Sequence, residues 1–271
     1  MTEETDAILL ASGRRAFITG GGSGFGREIA RRLAAAGATV AVVDLDEGSA
    51  DRVVAELDGS GHQAIAADVR VPEQMASAAK RAVDAIGGID TVVASAGVWS
   101  MGPIETISEA DWDRTIDVNL KGAFTTLQAT APALRASGRG RVVTIASDAG
   151  RRGFPTQSAY VASKFGLIGF TESIAAELAD DGVTVNCVCP VYCPTTSMGG
   201  EVVAVKAAQS QKAAQAVITS AAATNPLGRN ATEDDVADAV LFLISEQASF
   251  LTGVALDVDG GARLGSVPGI S

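Results

Sequence analysis

A chain of 271 residues, 47% hydrophobic and 20% charged, can bury one sizeable core and has the make-up of an ordinary globular protein. Its net charge of −11, with no basic stripe, argues against a nucleic acid or an anionic membrane as partner. The start MTEETDAILLAS is acidic with only a short apolar stretch, no apolar run approaches the ~18 residues of a bilayer span, and three cysteines form no even framework. These features predict a cytoplasmic protein without a signal peptide.

Short apolar runs and helical patterns alternate along the chain. Arg15–Thr19 (RAFIT) reads as a strand ending in glycines, and Phe25–Ala36 as a helix closed by Gly37. Thr39–Val43 is a continuous apolar strand, followed by a helix over Glu47–Leu57 and a strand near Gln63–Ala67. Next come a helix from Pro72 to Ile86, a strand at Thr91–Ala94, a long helical region around Asp111–Leu134 and a strand at Arg141–Ala146. A helix over Ser158–Leu178, a strand at Val183–Val188, a helix at Glu233–Ser245 and a strand near Val254–Val258 complete the pattern. Unbroken apolar strands are buried on both faces, and their alternation with helices implies parallel β-α-β units. The expected fold is a single doubly wound α/β domain over residues 1–271 with a parallel seven-stranded sheet. Residues 194–226, Ala-rich and inserted after the sixth strand at the carboxyl end of the sheet, are expected to form a helical substrate lid. Residues 1–13 and 262–271 are expected to be tails.

The turn after the first strand reads TGGGSGFGR (Thr19–Arg27). It fits G-x-G-x-x-G in no register but carries Gly20, Gly24 and Gly26 between a strand and a helix. Glycines there allow backbone N–H groups to approach a pyrophosphate, which a helix N-terminus favours. Asp44 follows the second strand, roughly 20 residues on. Its carboxylate suits the two hydroxyls of an adenosine ribose and would repel a 2′-phosphate, and Ser23 rather than a basic residue precedes Gly24. The pattern predicts NAD as cofactor.

In SAYVASKFG (Ser158–Gly166), Tyr160 and Lys164 lie one turn apart on a helix face. An ammonium beside a phenol favours the phenolate, which gives a general acid/base for an alcohol or carbonyl. Ser147 ends the strand RVVTIAS, where its hydroxyl can polarise a substrate oxygen, and Asn119 lies in DVNLKG on the preceding long helix.

These linked motifs resemble the short-chain dehydrogenase/reductase family over nearly the whole chain, from about Arg14 to Gly261. TGGGSGFG is similar to its cofactor loop, Asp68-Val69 to its adenine-contacting pair, and Asn119, Ser147, Tyr160 and Lys164 to its catalytic tetrad; Asn225–Gly261 is similar to its C-terminal helix and last strand. The resemblance implies a Rossmann fold and interconversion of a secondary alcohol and a ketone. In that mechanism Tyr160 exchanges a proton with the substrate oxygen and Ser147 holds that oxygen. Lys164 lowers the Tyr160 pKa and binds the nicotinamide ribose, and Asn119 anchors a relay water. The implied cofactor contacts are Gly20, Ser23, Gly24, Phe25, Gly26, Asp44, Leu45, Asp68, Val69, Ser95, Ala96, Gly97, Tyr160, Lys164, Pro190, Val191, Cys193 and Thr195, with no metal. Two positions depart from the family pattern: Ser95-Ala96-Gly97 stands where N-A-G is usual, and Pro190-Val191 where Pro-Gly is usual. Valine resists a positive φ, so that loop cannot copy a left-handed glycine. Thr195 falls where the family places a hydroxyl against the nicotinamide carboxamide.

An NADPH-dependent ketoreductase of the same family, and a cofactor-binding regulator without turnover, are the competing readings. Family resemblance also implies a homo-oligomer, a tetramer or dimer across the long central helices and the last strand, onto which the tail after Gly261 could pack. Trp99, Met101, Phe154, Tyr192 and Met198 are expected near a partly apolar pocket mouth, with Arg151 and Arg152 close by. All three cysteines fall in VNCVCPVYCPTT; Cys187 and Cys189 should share one strand face as buried side chains, whereas Cys193 is expected near enough to the cofactor for alkylation to inhibit.

Overall fold

A computed structural model describes residues 11–264, so residues 1–10 of the expected N-terminal tail and 265–271 of the expected C-terminal tail lie outside the described residues. The strands are β1 (Arg15–Thr19), β2 (Thr39–Asp44), β3 (Gln63–Ala66), β4 (Thr91–Ala94), β5 (Arg141–Ile145), β6 (Thr184–Pro190) and β7 (Ala255–Val258). They form a single parallel sheet in the order β3-β2-β1-β4-β5-β6-β7. The order reverses between β1 and β4, and ligands of open α/β sheets sit at the carboxyl ends of strands beside such a reversal.

The apolar runs are continuous because alternate residues face two cores. Ala16 and Ile18 of β1, with Val40 and Val42 of β2, pack on helices α1 (Gly24–Ala35), α2 (Glu47–Glu56) and α9 (Glu233–Ile244). Phe17, Ala41 and Val43 face the other layer, made by α3 (Pro72–Ile86), α5 (Gly122–Ser137) and α6 (Ser158–Leu178). A third cluster near the carboxyl ends joins Ala94, Ala146, Leu167 and Ile168 to Cys187 and Cys189. The two β6 cysteines are therefore free, buried packing groups on one strand face. Sandwiching helices on both faces of the sheet makes a doubly wound α/β domain. Among the described residues, no helix is long and apolar enough to cross a membrane.

Two helical regions differ from the sequence reading. The stretch expected as one helix around Asp111–Leu134 is α4 (Glu109–Ile116) and α5 joined by a π-helical turn over Asp117–Lys121. Hydrophobic spacing does not register a single wide turn, because the axis and the apolar face continue through it. The segment 194–226 is two helices, α7 (Ser197–Ser210) and α8 (Ala214–Ala222), broken at Gln211, whose φ of 53° ends α7 in the left-handed conformation.

Candidate active site

The loop after β1 turns on Gly20 (φ 64°), where a Cβ would stand 2.7 Å from the Ala96 Cα. Gly26 lies beneath the loop, and a Cβ there would stand 2.2 Å from the Gly20 carbonyl oxygen. The backbones of these two glycines therefore pack where no side chain fits. Ser23 precedes α1 without capping it through its side chain, which leaves the first-turn N–H groups of α1 free of a side-chain acceptor. This uncapped terminus opens on a groove of about 420 Å³ between the β1–α1 turn and the ends of β2, β3 and β4.

Asp44 ends β2 at the groove wall. Its carboxylate accepts the Gly22 N–H at 2.9 Å and the Asp46 N–H at 3.1 Å, which fixes its orientation. Gly22 was not singled out in the sequence, yet it holds the acidic residue against the glycine loop; a Cβ there would meet the Asp44 Oδ2 at 2.9 Å. Leu45 is 69% exposed beside it. Asp68 and Val69 line the same groove. Arg70 pairs with the Asp68 carboxylate at 2.7 Å and holds its pKa below the usual range, and the Val69 carbonyl accepts from the Thr125 hydroxyl at 2.5 Å. Ser95, Ala96 and Gly97 complete the wall at the end of β4, with the Ser95 N–H bonded to the Thr19 carbonyl at 3.2 Å.

From this groove a smaller pocket of about 140 Å³ runs past Phe25, Trp99, Thr196 and Met198, which line both spaces. Ser147 and Tyr160 stand on its wall. Ser147 follows β5 and caps a short 3-10 turn, with its hydroxyl accepting the Ala149 N–H at 3.1 Å and donating to the Asp148 carboxylate at 3.1 Å. Burial pushes the Tyr160 phenol up to about 12, against a lowering by the Ser147 hydroxyl and with a further rise from the Asp148 charge. Lys164, one turn on, is buried with its Nζ 5.6 Å from the Tyr160 ring centroid and donating to the Ile145 carbonyl at 2.9 Å. Burial lowers its pKa to about 8.

Asn119 and Lys164 line neither space directly. They meet beneath Gly97, where a Cβ would lie 3.5 Å from the Asn119 Oδ1 and 3.7 Å from the Lys164 Nζ. The π-helical turn presents Asn119 so that its amide clasps the Val98 N–H (2.8 Å) and carbonyl (2.9 Å) and donates to the Ser163 hydroxyl (3.0 Å). Both of its N–H donors are thereby used, and only a lone pair on Oδ1 remains for a water.

Pro190, Val191 and Cys193 line the pocket, and Val191 keeps a negative φ while its N–H bonds the Val258 carbonyl at 3.0 Å. The loop thus takes a course that valine tolerates. Thr195 is not brought to the pocket. It is exposed, and its hydroxyl donates to Glu233 at 2.6 Å; the neighbouring Thr196, which caps α7, faces both spaces instead. Cys193 is 4% exposed, and burial raises its thiol to about 11, which opposes the expected alkylation. Of the aromatic and methionine residues expected at the mouth, Trp99, Phe154, Tyr192 and Met198 line the pocket, while Met101 lines an adjoining depression. The Trp99 indole N–H bonds Gln157 at 3.1 Å, a pocket residue without a sequence signal of its own. Arg151 pairs with Asp257 at 3.0 Å and Arg152 with Asp148 at 3.2 Å, so neither is a free cation.

A tight glycine cradle, an uncapped helix N-terminus and a fixed carboxylate in one groove fit a dinucleotide, with Gly20, Gly24 and Gly26 shaping the cradle. Comparisons with known proteins agree with this geometry. A family model described as enoyl-(acyl carrier protein) reductase matches residues 19–263. The chain is 37% identical over 246 residues to 2-(S)-hydroxypropyl-CoM dehydrogenase 3 of Xanthobacter autotrophicus, covering 90% of this chain and 94% of that one. It is also 37% identical over 261 residues to human (3R)-3-hydroxyacyl-CoA dehydrogenase, covering 91% and 94% respectively. The crystal structure of a protein assigned as a short-chain alcohol dehydrogenase from Sinorhizobium meliloti 1021 superimposes with a TM-score of 0.85 at 33% identity, covering 95% of this chain and all of that one. With matches that run almost end to end in both sequence and fold, the chain belongs to the short-chain dehydrogenase/reductase family.

Proposed function

We propose that the protein is an NAD(H)-dependent oxidoreductase that interconverts a secondary alcohol and a ketone, with Tyr160 as general acid/base. The observation that carries this reading is the meeting of the Ser147 hydroxyl and the Tyr160 phenol on one small pocket wall that opens from the dinucleotide groove. A nicotinamide cofactor, when bound, supplies or accepts the hydride. Ser147 anchors the substrate oxygen and Tyr160 gives or takes its proton. Lys164 stands one turn from the phenol, 5.6 Å from the ring centroid, but in this structure burial outweighs it and the Tyr160 phenol is raised rather than lowered as the resemblance implied. Asn119 holds the 97–98 backbone and Ser163 in place around that lysine. Glycines 20, 24 and 26 seat the pyrophosphate, and α7 acts as the lid over the substrate, since Met198, Gly199 and Val202 line the pocket.

Support for NAD over NADP comes from the pinned Asp44 carboxylate. Arg70, a guanidinium that lines the groove, pairs with Asp68 at 2.7 Å, which weakens its pull on a 2′-phosphate. Three free buried cysteines suit the reducing cytoplasm. Exposed Trp112, Phe124 and Phe165 on α4, α5 and α6 suit assembly as a dimer or tetramer. Both curated relatives quoted above bear names of dehydrogenases of hydroxy compounds, in keeping with this chemistry.

The test joins one variant to one titration. Tyr160→Phe should lower coenzyme-linked turnover of secondary alcohols by about 10²–10⁴-fold while NADH binding, followed by fluorescence, stays within a factor of a few. Retained turnover overturns the Tyr160 assignment. Wild-type protein should bind NADH more tightly than NADPH, and the reverse order favours the ketoreductase reading.

A further inference from the structure

Charge is divided along the catalytic pocket. At the reaction end stands Asp148, with a side chain 13% exposed, bonded to the Ser147 hydroxyl at 3.1 Å and to Arg152 at 3.2 Å. Burial raises its pKa, but both partners favour the ionised form. From α7 an exposed Lys206 joins the lining of the same pocket. Its ammonium sits 5.7 Å from the ring centroid of Tyr192, another lining residue, whose hydroxyl donates to the Gly199 carbonyl of α7 at 3.4 Å. The attraction of the ammonium to that ring keeps it beside a residue of the pocket lining. Among the described residues no carboxylate lies within 4.0 Å of Lys206, whereas Arg151 and Arg152 are both paired. Of the acidic groups nearby, Glu233 is engaged by Thr195, and Glu201 lines the dinucleotide groove instead.

Resting on the dehydrogenase reading above, we propose that the substrate is a secondary alcohol or ketone with an anionic group (carboxylate, sulfonate or phosphate) several bonds from the carbinol carbon. Lys206 holds the anion at the α7 end, and Asp148 bars an anion from the carbon next to the carbinol. The net charge of −11 repels anions from the molecule as a whole, so any preference for one must be local. Lys206 is the unpaired cation that supplies it. Asp148 is paired with Arg152, yet it is the carboxylate and not the guanidinium that lines the pocket, so the carboxylate of a 2-hydroxy acid beside Ser147 would meet it.

Binding and turnover are measured separately, in the presence of NADH and of NAD respectively. Pentanesulfonate should bind the wild-type protein at least tenfold more tightly than pentanol by calorimetry, and 0.5 M salt should erode that preference. Lys206→Gln should abolish the tenfold ratio and Lys206→Arg should keep it. In turnover, a 4-hydroxy acid should exceed the matched 2-hydroxy acid in kcat/KM by tenfold or more, and Asp148→Asn should narrow that gap. Equal binding of sulfonate and alcohol, or a ratio indifferent to Lys206→Gln, overturns the proposal even if neutral alcohols turn over. Sulfonate-selective binding lost in Lys206→Gln supports it even if no alcohol is oxidised, an outcome that would instead overturn the dehydrogenase reading.

Discussion

Tyr160 and Lys164 share one face of α6, and burial acts on them in opposite senses. The Lys164 pKa falls from 10.5 to about 8, so between those values the unfolded chain binds more protons and stability rises with pH. The Tyr160 pKa rises from 10.0 to about 12, so the folded state keeps its proton longer and stability falls with pH across that window. Denaturation midpoints should therefore climb from pH 8 to 9 in the wild type, above which the raised Cys193 thiol works against the rise, and Lys164→Met should flatten that climb. The chain holds two tyrosines, both raised by burial, and Tyr160→Phe should remove a phenolate transition near pH 12 seen by ultraviolet absorbance. Cys193 offers a second check at this scale. With its thiol near 11, alkylation by iodoacetamide at pH 7.5, followed by mass spectrometry, should run roughly two orders of magnitude slower in the folded protein than in urea. That Tyr160 and Lys164 share one helix face was legible from their spacing, whereas the roles given to them and to Ser147 came from the resemblance of the linked motifs to a family. The sense of their pKa shifts was not legible, since it depends on how much of the remaining fold covers them.

The β1–α1 turn and helix α6 show how far a single element constrains its residues. Gly26 faces the Gly20 carbonyl so closely that Gly26→Ala must displace the loop, and coenzyme affinity should drop by tenfold or more while far-UV dichroism is kept. Gly169, exposed on α6 with nothing within 4 Å of its Cβ direction, is the contrasting case. There Gly169→Ala should raise stability by about 0.5–1 kcal/mol in urea titrations, because helix interiors favour alanine. Helices and strands were readable to within a residue or two wherever an apolar period met a glycine or proline stop, as in α3 and α6. The π-helical turn at Asn119 and the break at Gln211 were not readable. Each is a local departure that leaves composition and periodicity intact on both sides.

Across the molecule, the amino ends of the strands are tied by Asp90. Its fully buried carboxylate accepts from the Arg15 N–H at 3.0 Å, the Arg15 side chain at 3.2 Å, the Thr91 hydroxyl at 3.0 Å and Arg139 at 2.9 Å, thus linking β1, β4 and the approach to β5. Asp90→Ala should lower stability by about 2–3 kcal/mol through lost charge-assisted bonds, whereas Asp84→Ala, which removes an exposed pair with Lys80, should stay within about 0.5 kcal/mol. Denaturant titration of both variants checks the difference. The alternation of apolar strands with amphipathic helices sufficed by itself to determine the parallel doubly wound sheet, because burial on both faces is written into continuous apolar runs. The glycine turn between β1 and α1, Asp44 at the end of β2, and Tyr160 one turn before Lys164 were equally legible in order and spacing, which follow from backbone geometry within one or two elements. Only the tertiary structure decided that Thr196 rather than Thr195 faces the site, that Gly22 holds Asp44, and that Arg152 is paired while Lys206 is not. Those outcomes depend on which side chains from distant segments arrive within a few ångströms of one another, and short-range spacing along the chain carries no record of that meeting.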